Sequence, residues 1–225
     1  MKAYLGKKVF GKTYSSLATQ IGNVFLIFCV YLVVMMYTFS FIYESALVDG
    51  TSMENTYFDS DLVYYLPDSE ITYGDVVVVE VTKNHEILKR VIGMPGDKIN
   101  FSITQNEGKY IYSITVNGKV LLEPYIKSQS GNEVTYNNMY GSGLNCLINT
   151  HPSSFTENER GTGYRKDFVV GENEVFVLGD NRDVSKDSTS YGAFKMEQVL
   201  GRVDFSSAKD TLPMWSLFIQ FFWPF

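Results

Sequence analysis

The chain has 225 residues and a formal net charge of −6. This acidity argues against nucleic acid as a partner, because phosphate binding requires a basic surface. Its two cysteines and two histidines do not have the spacing of metal ligands, so we expect no metal site and no cofactor. Cys29 lies in a long apolar run and Cys146 far beyond it, which argues against a disulfide between them.

An uncharged apolar run covers residues 21–43. At ~1.5 Å of rise per residue, its roughly 23 positions suffice to cross a hydrocarbon layer of about 30 Å as a helix. Lysines precede the run and acidic residues follow it: Lys2, Lys7, Lys8, Lys12, Glu44 and Asp49. This distribution predicts a short basic cytoplasmic tail at residues 1–20 and places everything after Tyr43 outside the cell membrane. A cleaved signal peptide is the alternative, but the run exceeds the ~7–15 apolar residues of such a segment.

Residues 44–210 have the pattern of a β-domain. Segments rich in β-branched and aromatic residues alternate with turn residues, as in DLVYYLP, GDVVVVEVT, HEILKRVIGMPGD, KYIYSITVNGKVLLEP and NEVFVLGDN. The pair Asn117-Gly118 lies between two apolar stretches and predicts a hairpin with a type I′ turn. We therefore expect a mainly β fold, an antiparallel sheet or barrel-like domain with an inserted, variable β-lobe at about residues 100–172.

Two segments lack this regularity. Residues 129–166 are rich in Asn, Ser, Gly and Thr, which predicts a long surface excursion. The tail at 211–225 contains LPMWSLFIQFFWPF, which is aromatic and uncharged but too short for a second membrane crossing. Two interpretations of the tail stay open: it associates with the bilayer interface, which Trp and Phe favour, or it forms a last core strand or helix.

The first candidate nucleophile is Ser52, in the string VDGTSMENT. It follows the apolar run by about nine residues, which at ~3.3–3.6 Å per extended residue keeps it within about 30 Å of the membrane. Gly50 permits a strained turn that presents a hydroxyl beside backbone N–H groups, although a serine after a glycine also occurs in ordinary turns. Neither His85 nor His151 lies in a string typical of a positioned base, which leaves lysine as the better partner for Ser52.

The candidate base is Lys89, in HEILKRVIGMPGD. Strand periodicity places Lys89 and Arg90 on opposite faces, each among apolar neighbours. A lysine with a pKa near 10.4 is a poor base at pH 7, but burial disfavours the ammonium and lowers that pKa. The alternative is that both cations pair with acids such as Asp97 or Asp187 and only support the fold.

Four strings behind the apolar run resemble the type I signal peptidase family in order and spacing. They are GTSM at 50–53, GDVV at 74–77, KRVIGMPGD at 89–97 and GDNRDVSKDS at 179–188. Each string alone is weak evidence, but four in this order argue strongly against chance. The resemblance covers most of the chain outside the variable middle and implies a fold of the signal peptidase or LexA kind.

The resemblance also implies roles for individual residues. Ser52 would be the nucleophile, with its backbone N–H in the oxyanion hole, and Lys89 the general base. Ser185 would hydrogen-bond the lysine and orient it without adding a charge. The remaining implied residues shape or support the site: Gly50, Met53, Arg90, Gly179, Asp180, Arg182 and Asp187. Gly50 stands where some members carry a hydroxyl, so a side-chain oxyanion donor is missing, as in the Gram-positive pattern.

Two positions depart from the family pattern. The usual SMxPT is SMENT here, so Asn55 replaces a proline and we expect a less rigid turn after the nucleophile, with an effect on stability. The usual DSR is DST, which removes an arginine at Thr189 that would lie beside Asp187. We expect Arg90 or Lys186 to substitute for that arginine.

The resemblance implies a membrane-bound serine endopeptidase that removes signal peptides from exported preproteins with Ala-x-Ala-like sites. Its implied partners are these preproteins, the lipid bilayer and the Sec translocase. Three alternatives stay open: a self-cleaving repressor of the LexA kind, a weakly active pilus- or secretion-associated assembly factor, and a tethered β-protein that only binds partners. The apolar run argues against the first, and the presence of both Ser52 and Lys89 argues against the other two.

Overall fold

The computed structural model of the chain describes residues 2–106, 109–126, 134–135, 155–157, 166–182 and 184–207. The chain divides into two compact units, residues 1–43 and residues 44–225. The predicted tail at 211–225, most of the excursion at 129–166, Cys146 and His151 lie outside the described residues.

The first unit is one long helix, α1, at Lys2–Ile42. The helical backbone includes residues 2–20 of the predicted tail as well as most of the apolar run, and no proline interrupts it. Its part at Ala18–Ile42 has a mean hydropathy of 2.4 and is long and apolar enough to cross a membrane. Thr38 and Ser40 bond their hydroxyls to backbone carbonyls of Val34 and Tyr37, so these two polar groups are satisfied within the helix.

The described strands of the second unit form two antiparallel sheets. The first sheet comprises β1 (Glu44–Leu47), β2 (Leu62–Pro67), β3 (Val76–Thr82), β4 (His85–Gly93), β11 (Glu174–Leu178), β12 (Phe194–Lys195) and β13 (Val199–Ser207). The second comprises β5 (Lys98–Asn106), β6 (Lys109–Val116), β7 (Lys119–Val120), β8 (Val134–Thr135), β9 (Phe155–Glu157) and β10 (Lys166–Val169). The remaining elements of the described residues are a short helix, α2, at Ser188–Tyr191 and a 3₁₀ turn at Met196–Gln198. The mainly β, antiparallel fold predicted from the sequence is confirmed.

The first sheet has the strand order β1-β2-β13-β3-β4-β11-β12, and its described strands form no closed barrel. The second has the order β7-β6-β5-β10-β9, with β8 paired to β6. The chain leaves the first sheet after β4 and returns to it at β11. The second sheet is therefore inserted between neighbouring strands of the first, as the inserted β-lobe was predicted to be.

The apolar core follows the two-residue period of the strands. In β11, Val175 and Val177 enter one buried cluster, with Val77 and Val91. Phe176 and Leu178 enter another, whose other members are Ile92, Ile99, Phe101, Ile114, Phe168 and Val170. Successive side chains thus pack on opposite faces of the strand. A strand buried on both sides in this way explains the continuous apolar string EVFVL.

A buried carboxylate ties the predicted hairpin to the end of β4. Asn117 and Gly118 have φ values of 52° and 78°, so both are left-handed, as a type I′ turn requires, and this prediction is confirmed. The amide of Asn117 donates to Asp97 (2.7 Å), which also accepts bonds from the backbone N–H of Met94 and the hydroxyl of Tyr73. Asp97 therefore organises the junction of the two sheets and pairs with neither Lys89 nor Arg90.

Candidate active site

Ser52 lies in a loop between β1 and β2 that is closed at its base. Backbone bonds of 2.8 Å run from Val48 N to the carbonyl of Asp61 and from Ser60 N to the carbonyl of Val48. Gly50 has a φ of 86°, the left-handed region that favours glycine, and its N–H donates to Asp59 Oδ1 at 2.8 Å. The loop thus needs Gly50 for its backbone conformation.

Lys89 reaches this loop from the centre of β4. Its Nζ lies 2.8 Å from Ser52 Oγ and 2.6 Å from the carbonyl oxygen of Leu88. The lysine is only 2% exposed. Among the residues that the structure describes, it forms no ion pair. The amine is therefore held by neutral oxygens in a desolvated position.

Burial lowers the pKa of Lys89 to about 8, against the opposing attraction of the Asp187 and Asp180 carboxylates. With that pKa, about a tenth of the amine is neutral at pH 7, because the neutral fraction changes tenfold per pH unit. A neutral amine 2.8 Å from a hydroxyl can accept its proton. The pair has the distance and the pKa that a nucleophile and its general base require.

The chain after β11 packs against the backbone of Ser52. Asn181 N donates to the carbonyl of Ser52 (3.0 Å), and the side-chain amide of Asn181 donates to the carbonyl of Thr51 (3.1 Å). A Cβ placed on Gly179 would lie 2.6 Å from the Ser52 carbonyl oxygen and 2.2 Å from Ser185 Oγ. Gly179 therefore allows the close approach of these two segments.

The structure differs from the expectation for Ser185. Its Oγ is buried and has no hydrogen-bond partner among the described residues, so the expected bond to Lys89 is absent. The amine of Lys89 instead contacts Ser52 and the carbonyl of Leu88. Because the Ser185 hydroxyl abuts Gly179, it still lies beside the segment that holds Ser52. We call Ser52, Leu88, Lys89, Gly179 and Ser185 the lysine pocket.

Asp187 is buried beside this pocket and caps α2. Its Oδ2 accepts the N–H of Gly179 (3.0 Å), and its Oδ1 accepts both the N–H and the hydroxyl of Thr189 (3.0 and 2.8 Å). The expectation that Arg90 or Lys186 replaces the missing arginine is wrong, because Lys186 is exposed and Arg90 binds elsewhere. Thr189 fills the position itself, since a short hydroxyl at the helix N-terminus reaches the capping carboxylate.

Arg90 pairs with Asp180, so the alternative partners Asp97 and Asp187 are excluded for it. Its Nε lies 2.8 Å from Oδ1 and its Nη2 2.6 Å from Oδ2, a two-pronged contact. Nη1 donates to the carbonyl of Gly74 at 2.7 Å, and the hydroxyl of Thr56 donates to Asp180. The Thr56 turn closes on Met53, which is fully buried. Asp180 thus joins the strand that carries Lys89 to the turn that follows Ser52.

A second buried ion pair continues this network. Arg182 donates through Nη1 and Nη2 to Glu123 and through Nε to the carbonyl of Gly179. Tyr125 donates its hydroxyl to Glu123 Oε1 at 2.9 Å, and the guanidinium of Arg90 lies over its ring. We call Arg90, Glu123, Tyr125, Asp180 and Arg182 the ion-pair cluster.

The sequence analysis missed several residues around the site: Thr56, Leu88, Glu123, Tyr125, Asn181 and the bonding role of Thr189. Thr56 and Asn181 lie inside the strings SMENT and GDNRD, so their neighbourhood carried a signal. Glu123 and Tyr125 follow the hairpin in a turn outside the strands, so no local periodicity predicts their place near the site. No cluster of three or more metal-binding side chains occurs in the described part of the chain.

Comparisons with known proteins decide the family. The family model "Signal peptidase, peptidase S26" matches residues 21–208. The chain belongs to the signal peptidase family. It is 32% identical over 181 residues to signal peptidase IB of Staphylococcus aureus, covering 77% of this chain and 82% of that one.

Other relatives belong to the same family. Signal peptidase I of Streptococcus pneumoniae is 30% identical over 184 residues, covering 73% of this chain and 82% of its own. A crystal structure of a signal peptidase I from Enterococcus faecalis V583 aligns at 20% identity and a TM-score of 0.34, covering 60% of this chain and 98% of that chain. The resemblance and the enzyme class predicted from the sequence, a serine peptidase, are confirmed by the family match and the sequence relatives.

Proposed function

We propose that the chain is a membrane-anchored endopeptidase that removes signal peptides from exported preproteins with Ser52 as nucleophile and Lys89 as general base. The observation that carries this proposal is the 2.8 Å contact between Lys89 Nζ and Ser52 Oγ. A buried lysine with no carboxylate partner is costly to keep for stability alone. In a family of peptide hydrolases, its contact with a serine hydroxyl supports a catalytic role.

The reaction follows from this contact. The neutral amine of Lys89 takes the proton of the Ser52 hydroxyl as Oγ attacks the scissile carbonyl carbon. When the C–N bond breaks, the lysine ammonium returns that proton to the leaving amine, and an ester of Ser52 remains. A water molecule then gives its proton to Lys89 and attacks the ester. The acid product leaves, and the proton returns to Ser52 Oγ.

The negative oxygen of the tetrahedral intermediate needs a donor. Within the described residues, no acceptor takes the backbone N–H of Ser52. Gly50 carries no side-chain donor, so this N–H is our candidate for part of the oxyanion hole. It is held in place, because the Thr51 carbonyl of the same peptide group accepts bonds from the Asn181 side-chain amide and from Glu54 N.

We assign Ser185 an orienting role that depends on the state of Lys89. Its buried, unpartnered hydroxyl lies beside Gly179. A buried hydroxyl without a partner costs about 1–3 kcal/mol, which favours any state in which it gains one. An ammonium has three donors and bonds two oxygens here, so Ser185 is the candidate third acceptor during catalysis.

The apolar part of α1 and the lysines near its start support a single-pass anchor with its N-terminus in the cytoplasm and the β-domain outside. The signal peptide of a preprotein also lies in the bilayer, so its cleavage site emerges near the same membrane face. An extended Ala-x-Ala segment would bind by adding a strand to a sheet edge. The bilayer and the Sec translocase are the partners that this placement implies.

The test is cleavage of a preprotein with an Ala-x-Ala site by the full chain in phospholipid vesicles. We expect Ser52→Ala and Lys89→Ala each to lower kcat/KM by about a thousandfold or more, because a nucleophile and its base act as one unit. Ser45→Ala is the matched control, since Ser45 is exposed on β1, and it should cleave as the wild type does. Equal activity in folded wild type, Ser52→Ala and Lys89→Ala would contradict the assignment of the dyad.

A further inference from the structure

The segment at residues 121–126 follows the predicted hairpin, just after the edge strand β7 of the second sheet. Leu121 packs against the core of that sheet, and its N–H donates to the carbonyl of Ile114 at 2.9 Å. The N–H of Ile126 donates to the carbonyl of Glu123, which closes a turn around Pro124. Proline at the second position pre-sets φ for such a turn. The position of the next residue, Tyr125, is thus fixed by the backbone.

Two side chains of this segment, Glu123 and Tyr125, contact the arginines of the ion-pair cluster, Arg182 and Arg90. The carboxylate of Glu123 accepts hydrogen bonds from both terminal nitrogens of Arg182 and from the hydroxyl of Tyr125. Burial raises the pKa of the Tyr125 hydroxyl, so it stays protonated and remains a donor. The carboxylate therefore holds the tyrosine hydroxyl, while the backbone turn sets the position of the ring.

The Tyr125 ring is the surface on which Arg90 lies. The guanidinium carbon of Arg90 is 4.0 Å from the ring centroid. The same guanidinium makes its two-pronged contact with Asp180. A planar cation held by a ring and a carboxylate together has little freedom to rotate, because each contact restricts it to one plane.

We propose that Tyr125 is a positioning residue for catalysis, which keeps the Arg90 guanidinium engaged with Asp180. This inference rests on the proposed roles of Ser52 and Lys89. Asp180 lies between Gly179, which abuts the Ser52 carbonyl, and Asn181, which donates to it. Arg90 follows Lys89 directly in β4. The ion pair of Arg90 and Asp180 is therefore adjacent in sequence to Lys89 on one side and to the residues that contact the Ser52 carbonyl on the other.

The electrostatic consequence has a definite sign. Two carboxylates act on the Lys89 amine, those of Asp187 and Asp180, and both favour its ammonium form. Asp187 is bonded to neutral donors, whereas Asp180 is paired with a cation. If the Arg90 guanidinium moves away, Asp180 attracts the ammonium more strongly and the pKa of Lys89 rises. The acid limb of the pH profile then moves to higher pH, because cleavage requires the neutral amine.

The experiment compares Tyr125→Leu with Tyr125→Phe in the full chain, using the vesicle assay across pH. Tyr125→Leu removes the ring, so we expect kcat to fall about three- to tenfold, the range of an aromatic contact to a partly buried cation, and the acid midpoint to rise. Tyr125→Phe keeps the ring over Arg90 and should keep the wild-type midpoint. Tyr125→Met is a second variant that fills the same space if the leucine variant does not fold.

Tyr65→Leu is the matched control for stability. Tyr65 is buried and also donates its hydroxyl to a glutamate, Glu44, which is not a member of the ion-pair cluster. It should lower the melting temperature and leave the acid midpoint unchanged. An unchanged midpoint in folded Tyr125→Leu or Tyr125→Met would overturn the inference, as would an equal shift in Tyr125→Phe.

A second readout does not depend on cleavage. The chain labelled with ¹³C-lysine permits direct titration of the Lys89 Cε resonance, assigned with Lys89→Ala. A higher titration midpoint in Tyr125→Leu than in wild type supports the inference, and an equal midpoint overturns it. If the wild type titrates as expected but cleaves no preprotein, the proposed function fails and not the coupling between Tyr125 and Lys89.

Discussion

The cations of the lysine pocket and the ion-pair cluster, Lys89 and Arg90, are consecutive residues of β4, yet they have opposite surroundings. Lys89 is buried, and its bonds within the described part of the chain go to neutral oxygens. Arg90 has a carboxylate, a carbonyl, a hydroxyl and an aromatic ring as partners. Burial without a countercharge converts an amine into a base, whereas burial with a full set of partners makes a guanidinium a structural support.

The identity of each cation suits its neighbourhood. A guanidinium stays charged when buried and fits a carboxylate with two parallel bonds, while a lysine amine changes its pKa readily. An exchange of the two residues would place a permanently charged group beside Ser52. The chemical difference between the two neighbourhoods therefore depends on residue type as well as on partners.

The largest expected effect on stability comes from breaking the ion-pair cluster. Arg90→Met leaves the Asp180 carboxylate, whose side chain is fully buried, without its cation. We expect the free energy of unfolding to fall by about 3–5 kcal/mol, as for other broken buried pairs. Urea denaturation in mild detergent measures this change. A loss below about 1 kcal/mol would show that the pair contributes no more than an exposed one.

Lys89→Met tests the difference between the two cations, because it should not lower the free energy of unfolding as Arg90→Met does. The pKa of Lys89 in the fold is about 8, below its ordinary value of 10.5. As the pH falls, Lys89 therefore takes up its proton near pH 10.5 in the unfolded chain but only near pH 8 in the folded one. The free energy of unfolding of the wild type is thus highest above pH 10.5 and decreases until about pH 8. This difference corresponds to about 3 kcal/mol.

The methionine variant cannot titrate at this position. Its stability relative to wild type should therefore be higher at pH 7 than at pH 10.5. Urea denaturation of both proteins at the two pH values measures the change. A constant difference between them would contradict a depressed pKa for Lys89.

A smaller effect is expected at Thr189, which bonds Asp187 beside the lysine pocket. Thr189→Val keeps the shape and removes the hydroxyl bond to the buried carboxylate, which should cost about 1–2 kcal/mol of stability. Thr189→Ser retains the hydroxyl and should lose less. Thermal unfolding of the three proteins tests this order, and equal losses in both variants would show that the methyl group matters rather than the bond.

The fold class, the inserted lobe and the hairpin could be predicted because each depends on a local pattern. Alternating apolar segments, turn residues between them and the pair Asn117-Gly118 are all readable along the chain. The ends of α1 were less predictable, because helix formation by residues 2–20 does not require an apolar pattern.

The site could be predicted only as far as its motifs extended. Ser52 and Lys89, which the motifs predict, lie in contact. The partner of Arg90 was not foreseen, because Asp180 lies after β11, 90 positions further along the chain. Likewise, Glu123 and Tyr125 reach the cluster through the packing of the inserted sheet, which no local periodicity reveals. The bond between Thr189 and Asp187 depends on the geometry of a helix cap of four residues.

The most direct test of a neutral Lys89 acting on Ser52 is the pH dependence of kcat/KM for wild-type cleavage of an Ala-x-Ala preprotein in vesicles. The free enzyme's base sets the acid limb of this profile. We expect activity to rise with pH to a midpoint near 8, the pKa that burial gives Lys89. A midpoint above pH 10, or a rate independent of pH between 6 and 9, would contradict the account.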